Sequence, residues 1–284
     1  MTLRWVPGWN GLTEPEAVSY VAAVEEADGE PLEFGVARAI NDFVLGCKND
    51  GIWDAIKASC ILAGARTLDG ALVPLVGTAP TNYNFVSGDY DRETGLVGDG
   101  STKYLDSNRN NNADPQDSNH NAAYVTVASN VGGFLMGATG GDSAEAGVNS
   151  LGDAGFSRCR SSIGTPVDVV ASTGFFGINR SVADSYIARA GSTNKTILVA
   201  SNGLFSANTT IFRRPSSVPQ HTNARLAFYS IGESLDLEKL DNRVTRLMNL
   251  ITYTQTAGLP DLATMDIDAA AYIGGGYRVG GTLS

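Results

Sequence analysis

Between Ala224 and Ile251 the chain reads ARLAFYSIGESLDLEKLDNRVTRLMNLI, a strand-like run that passes through one glycine into an amphipathic helix. Leu226, Phe228 and Ser230 alternate with Ala227, Tyr229 and Ile231, and both sets hold apolar groups, which predicts a strand buried on two sides. Gly232 ends it. Asp236 is placed to cap the following helix, with Glu238 in its first turn, where unpaired N–H groups and the helix dipole favour a carboxylate. Leu237, Leu240, Val244, Leu247, Met248 and Ile251 then form one apolar stripe, leaving Lys239, Asp241, Arg243 and Arg246 to a solvated face.

The N-terminal quarter has a different texture. All three tryptophans, Trp5, Trp9 and Trp53, lie in residues 1–66, an expected helical segment. Thr13 and Glu16 form a T-x-x-E capping box before a helix over Ala17 to Ala27, with Val18, Val21 and Val24 on one face. A second helix is expected from Phe34 to Lys48, with Val36, Ile40, Phe43 and Val44 inward and Asn49-Asp50-Gly51 as its stop. A third short helix, or a turn followed by a helix, is expected within Ile52 to Ala63. From Glu14 to Asp50 nine acidic residues stand against Arg38 and Lys48, a net of -7 within a chain of net charge -10. Such a run reads as a solvated face before it reads as a dock for a basic partner.

Beyond Thr67 short apolar runs recur roughly every ten residues, separated by Gly, Asn, Asp and Ser clusters. They are Leu72 to Val76, Tyr83 to Val86, Tyr104 to Leu105, Ala123 to Ala128, Phe134 to Met136, Phe156 to Arg160, Val167 to Ala171, Phe175 to Ile178, Tyr186 to Ala188, Thr196 to Ala200 and Thr209 to Arg213. With no helical crossovers between them, they predict an antiparallel β-sandwich or jelly roll over residues 67–254. The 33 glycines in 284 residues fit its many tight turns. The polar run Asp106 to Asn121 is expected to be a surface loop, and residues 255–284 a glycine-rich tail that flexes or pairs with a neighbouring subunit. No run of apolar residues is long enough to span a membrane, and the acidic balance argues against nucleic acid as the main partner. Cys47, Cys60 and Cys159, an odd number without C-x-x-C spacing, are expected as reduced structural thiols.

Four runs carry a resemblance: IKASCILAGARTLDGALVPLVG from Ile56, YNFVSGDYDRETGLVGDGSTKYLDS from Tyr83, VADSYIARA from Val182 and RLAFYSIGESLDLEKLDNRVTRLM from Arg225. Together, over residues 55–250, they resemble structural proteins of tailed bacteriophages, cyanophages included, that carry a concanavalin A-like, laminin-G-like jelly roll. The resemblance implies a virion protein assembled in the host cytoplasm, in a tail or neck fibre, baseplate appendage or capsid decoration. Its implied partners are other virion proteins (capsid, neck or tail) and further copies of itself, trimers being frequent in such appendages. Trp5, Trp9 and Trp53 are then candidate anchoring residues. GLVGDGSTKYLD, with its turn pairs Thr94-Gly95 and Asp99-Gly100, also reads as a hairpin.

Sandwiches of this type include glucanases, whose two glutamates and aspartate follow E-x-D-x-E along one strand, or the same with one extra residue before the last Glu. The nearest match, Glu233, Asp236 and Glu238, departs by one residue and opens a helix, so capping is the better reading and no enzyme is expected. Asp89, Asp91 and Glu93 alternate as calcium ligands do, but the glycine at 95 falls one place late and no closing glutamate follows. Asp114, Asp117 and His120 are a second loose oxygen-rich set, and neither His120 nor His221 belongs to a zinc or triad pattern. Nucleotide-binding glycine motifs are absent, and no cofactor is expected. Glycan contact remains an alternative: Tyr83, Tyr90, Tyr104 and Asn110, Asn111 and Asn112 are the candidate ligand-binding residues of a host-surface polysaccharide adhesin, although the jelly roll holds no tryptophan. A polysaccharide hydrolase is the weaker alternative.

Overall fold

The computed structural model describes residues 11–138, 144–148, 155–161, 165–167, 173–215 and 220–256. Trp5, Trp9 and the tail after Thr256 lie outside them. In chain order the helices are α1 (Pro15–Asp28), α2 (Phe34–Asn49), the single turn α3 (Leu68–Ala71) and α4 (Leu237–Thr256). The strands are β1 (Ile56–Ile61), β2 (Thr81–Tyr83), β3 (Tyr90–Asp91), β4 (Gly95–Val97), β5 (Tyr104–Asn110), β6 (Asn119–Val127), β7 (Phe134–Gly137), β8 (Ala144–Val148) and β9 (Gly155–Cys159). There follow β10 (Thr165–Val167), β11 (Gly174–Arg180), β12 (Ser185–Ala190), β13 (Thr193–Leu198), β14 (Asn208–Ile211), β15 (Arg213–Arg214), β16 (Gln220–His221) and β17 (Arg225–Gly232).

Two antiparallel sheets form the jelly-roll sandwich. Among the described residues one runs β13-β12-β11-β6-β17-β4-β3, with β1 also on β17, and the other β10-β9-β8-β7-β14-β5-β2; β15 and β16 form a separate ribbon. The helices cover the outer face of the first sheet, giving three layers and two cores. Ala123, Val125, Phe176 and Ile178 point between the sheets, while their neighbours Ala122 and Phe175 point to the helices, as the two-residue period of a strand requires.

Strand β17 belongs to both cores, but not in the simple alternation its sequence suggests. Its register against β6 slips between Leu226 and Phe228, which face Val125 and Tyr124. The extra residue, Ala227, is a β-bulge that resets which side chains share a face. Leu226, Tyr229 and Ile231 therefore enter the core between the sheets, whereas Ala227 and Phe228 enter the helical core. There the Phe228 ring meets Phe43 of α2 edge-on, centroids 5.7 Å apart. Asp236 caps α4 as expected, its Oδ1 accepting from the backbone N–H groups of Glu238 and Lys239 at 2.9 and 3.2 Å. The stripe from Leu237 to Ile251 is buried.

Several sequence expectations are corrected. The third helix is instead a 3-10 turn at Trp53–Ala55 followed by β1, which pairs with β17 from Ile56↔Gly232 to Ile61↔Phe228. Apolar groups on both faces of that strand mimic a helical pattern, because Ile56 and Ile61 serve the helical core while Ala58 and Cys60 serve the inter-sheet core. The capping box does not form. Asn41 of α2 accepts from the backbone N–H groups of Thr13 and Glu14 at 2.7 and 3.0 Å, Pro15 starts α1, and Glu16 turns to Lys48. Val18 is exposed, unlike Val21 and Val24. Residues 72–76 are not a strand; α3 ends there, and Val76 makes a single bridge to Ser59.

GLVGDGSTKYLD is a crossing between sheets. β4 pairs with β17 and β3, and β5 pairs with β14 and β2, with Asp99 Oδ1 holding the turn through the N–H groups of Ser101, Thr102 and Lys103. The expected loop over 106–121 contracts to residues 111–118, because β5 extends to Asn110 and β6 begins at Asn119. Asn111, Asp114, Asn119, His120 and Asn121 are buried there. What permits this is Arg160, itself fully buried, whose guanidinium donates to the carbonyl oxygens of Asn111, Asp114 and Pro115.

Lys239 and Arg246 of α4 and Glu26 and Glu30 of the acidic run are exposed as expected, but other members of both faces turn inward. Arg243 forks onto Asp50 at 2.7 and 2.9 Å, and Asp241 pairs with Arg189 at 2.8 Å. Arg66 and Arg92 reach Glu33 at 3.2 and 2.7 Å, and Lys48 holds Glu14 and Glu16. Lys48 within the run, and Arg66, Arg92 and Arg243 beyond it, thus offset part of the charge read as solvated.

Truncating Phe228 to Ala should destabilise the protein by about 3–5 kcal/mol in denaturant unfolding, since its ring fills a contact among α2, α4 and the sheet. A loss under ~1 kcal/mol would contradict that packing. His120 offers a pH test. Its ring lies between the Glu233 carbonyl at 2.6 Å and Ser230 Oγ at 2.7 Å, and burial, only partly opposed by the Glu233 bond, pushes its pKa from 6.5 down to about 4. The unfolded chain takes up this proton first, so stability fully present above pH 6.5 is lost as the pH falls through 4. The loss amounts to about 3 kcal/mol. His120→Gln should flatten that part of the stability profile; equal slopes in both proteins would refute the assignment.

Candidate functional site

At the free edge of the second sheet, three neighbouring side chains form a stack. Tyr83 on β2 and Tyr104 on β5 are register partners, and their rings lie nearly parallel, centroids 4.3 Å apart and 7° between planes. From the β14 side, the Arg213 guanidinium carbon sits 3.3 Å over the Tyr104 ring, a distance at which the cation and the ring quadrupole attract. His221 approaches Tyr104 edge-on at 6.0 Å. Burial raises the Tyr104 hydroxyl above its ordinary pKa, with Arg213 working against that rise.

Local backbone geometry aims this stack. Phe212 has φ 70, Asn84 φ 70 and Asn108 φ 56, three of the four non-glycine residues in left-handed conformation among the described residues. An aromatic residue pays for that conformation in steric strain. Phe212 remains fully buried against Phe85, centroids 4.9 Å apart, while the next residue, Arg213, is turned out onto Tyr104. Asn84, directly after Tyr83, donates Nδ2–H to the Thr102 carbonyl at 3.0 Å, and Asn108 donates to the Ala79 carbonyl at 2.8 Å.

Of the candidate ligand-binding residues, the structure joins Tyr83 and Tyr104 and separates the others. Tyr90, on β3 in the first sheet, donates its hydroxyl to the Ala65 carbonyl at 2.7 Å. Asn110 lies six residues along β5 from Tyr104, about 20 Å away at strand spacing. Asn111 is buried with Nδ2 on the Phe205 carbonyl, while Asn112 is exposed. Arg213, His221, Asn84 and Phe212 had no signal in sequence, because only a cross-sheet contact gives them a shared place.

The acidic candidates diverge as well. Asp89 pairs with Lys103 and accepts from Val86 N–H at 2.8 Å. Asp91 Oδ1 takes the Glu93 and Thr94 N–H groups and the Thr94 hydroxyl, closing a tight turn. Tyr90, Asp91 and Glu93 line a shallow cleft of about 540 Å³ with Glu33, Arg92, Thr254 and Gln255. Of the set Asp114, Asp117 and His120, the histidine ring turns to β17 and Asp114 binds Arg109 Nε at 3.2 Å. Among the described residues no three acidic, histidine or cysteine side chains gather as a metal cluster.

Glu233, Asp236 and Glu238 do not converge on one site. Glu233 pairs with Lys57 at 3.1 Å, Asp236 caps α4, and Glu238 is exposed in the first turn. The three cysteines are free and buried, which pushes each thiol up to about 12 and keeps it protonated. Trp53 packs part-buried against the helical core.

No family model and no curated protein matches the chain. Solved structures similar to it include a mutant of Trypanosoma rangeli sialidase displaying trans-sialidase activity (TM-score 0.40, 10% identity, 76% of this chain and 39% of that one). Others are the binding domain of botulinum neurotoxin DC in complex with SialylT (0.36, 15%, 54% and 40%) and the enzymatically active domain of bacteriophage CBA120 tailspike protein 2 (0.34, 14%, 62% and 30%). This chain therefore spans well under half the length of each. At such identities and TM-scores, the chemistry of the site rests on its own geometry.

Proposed function

We propose that this chain is a non-enzymatic structural protein of a tailed-bacteriophage particle, its jelly roll displayed at the surface in a tail or neck fibre, baseplate appendage or capsid decoration. The observation that carries the reading is where its two most distinctive phrases meet. GLVGDGSTKYL (Gly95 to Leu105) and LAFYSIGESL (Leu226 to Leu235) pair through Leu96 and Leu226, so the resemblance attaches to one joint in space. Of the acidic triplet that a glucanase reading would need, Glu233 is engaged in an ion pair and Asp236 in a helix cap, which supports a role without catalysis.

Helices α1 and α2 share the sheet's core, so the segment before them, with Trp5 and Trp9, is the better candidate for attachment to capsid, neck or tail partners, with Trp53 behind it. Self-association, as a trimer in an appendage, belongs to the same proposal. A second reading, a carbohydrate-binding adhesin for host-surface polysaccharide, is favoured by the Tyr83 and Tyr104 stack.

Immunogold labelling of intact particles should place the chain on their surface, and removing residues 1–10 should leave a folded protein that is no longer incorporated. Unlabelled particles, with the protein confined to the soluble lysate, would refute the virion reading. Normal incorporation of the truncated chain would refute the attachment role.

A further inference from the structure

We infer that the outward face of Tyr83 is a stacking subsite for a pyranose ring of a glycan, held ready by the Tyr104 ring and the Arg213 guanidinium behind it. This deepens the adhesin reading and rests on it.

Position comes first. Among the described residues β2 is the last strand of its sheet, with no further strand paired beyond it, and Tyr83 is 40% exposed. One face of the ring is occupied by Tyr104 at 4.3 Å, and among the described residues no ring or cation is stacked on the other. A tyrosine fixed in this way loses little rotamer freedom on binding, so the contact contributes more to affinity than a loose surface aromatic would.

Strain concentrates here without a need from the core alone. Asn84 follows Tyr83, Phe212 precedes Arg213, and Asn108 bonds to Thr81 at the start of β2, all three at positive φ. Backbone strain held by surrounding structure is a known companion of binding sites. In this case it orients the two ends of one stack. Among the described residues Arg213 Nε is buried without a hydrogen-bond acceptor, which leaves the Tyr104 ring as the group that faces its charge.

The rim selects the ligand class. Thr81 and Asn82 on β2, Asn84 just after it and Thr102 on the turn that Asn84 bonds are exposed neutral residues; of these, Thr81 pairs with Asn108, Asn82 with the Phe85 backbone and the Thr102 hydroxyl with Asp99. Asn84 uses Nδ2 on Thr102 and keeps Oδ1 as an acceptor for a hydroxyl. A flat ring face with an amide oxygen beside it complements a ligand with a C–H face and hydroxyls at its edge, which describes a pyranose. A polyanion fits less well, because the chain carries a net charge of -10.

The test is saturation-transfer NMR on the full chain, using purified bacterial surface polysaccharide and a panel of methyl pyranosides as probes. Shifts of the Tyr83 ring protons in the unaltered protein are followed alongside. Tyr83→Ala should weaken binding about tenfold or more, and Tyr83→Phe by no more than about twofold, since the ring and not the hydroxyl makes the contact. Saccharide binding that leaves the Tyr83 ring protons unmoved, or that Tyr83→Ala does not change, would overturn the subsite while sparing the adhesin reading. No binding of any probe by the unaltered protein would overturn both.

Discussion

Everything in this fold leans on β17 and its bulge at Ala227. A strand buried on both faces normally sends alternate side chains to two sides in strict succession. One extra residue breaks that succession, so two adjacent residues, Ala227 and Phe228, face the helices, while Leu226, Tyr229 and Ile231 fill the sandwich. Because β1, β4 and β6 all pair with β17, that one strand fixes the register of the first sheet and the seat of the helices together. The helical layer is accordingly a third wall of the domain.

Charge is handled by the same economy of placement. Arg180, fully buried, pairs with no carboxylate among the described residues; its guanidinium donates to the carbonyl oxygens of Cys159, Val182, Ala183, Ser185 and Val199. Arg160 does likewise for the 111–118 connection. A buried cation would be costly unless its donors were satisfied, and here one side chain also satisfies several loop carbonyls that no strand reaches. Irregular connections are thereby held in place by a single side chain each.

The parts legible in sequence were those governed by local pattern. The stripe of α4, the Asp236 cap, the inward face of α2 and most strands of the sandwich follow from periodicity and turn chemistry. The parts that were not legible depend on partners distant in the chain. Asn41 supplies the cap that Thr13 and Glu16 suggested they would make, and β1 looked helical because it serves two cores. The polar run after Asp106 looked like open loop because nothing local announces that Arg160 will enter it. At the candidate site the tyrosines could be nominated, but Tyr90 separates from Tyr83 and Tyr104 because β3 and β2 belong to different sheets.

The architecture is a sandwich with its helices sealed into it and its exposed aromatic edge on the opposite sheet. Native-state hydrogen exchange tests the central point, that helices and sheet share one cooperative core. Amides of α2 from Val36 to Val44 and of β17 from Phe228 to Ile231 should exchange with the same free energy, that of global unfolding. If α2 opens at a cost several kcal/mol lower while β17 stays protected, the helical layer is an appendage and the account is wrong.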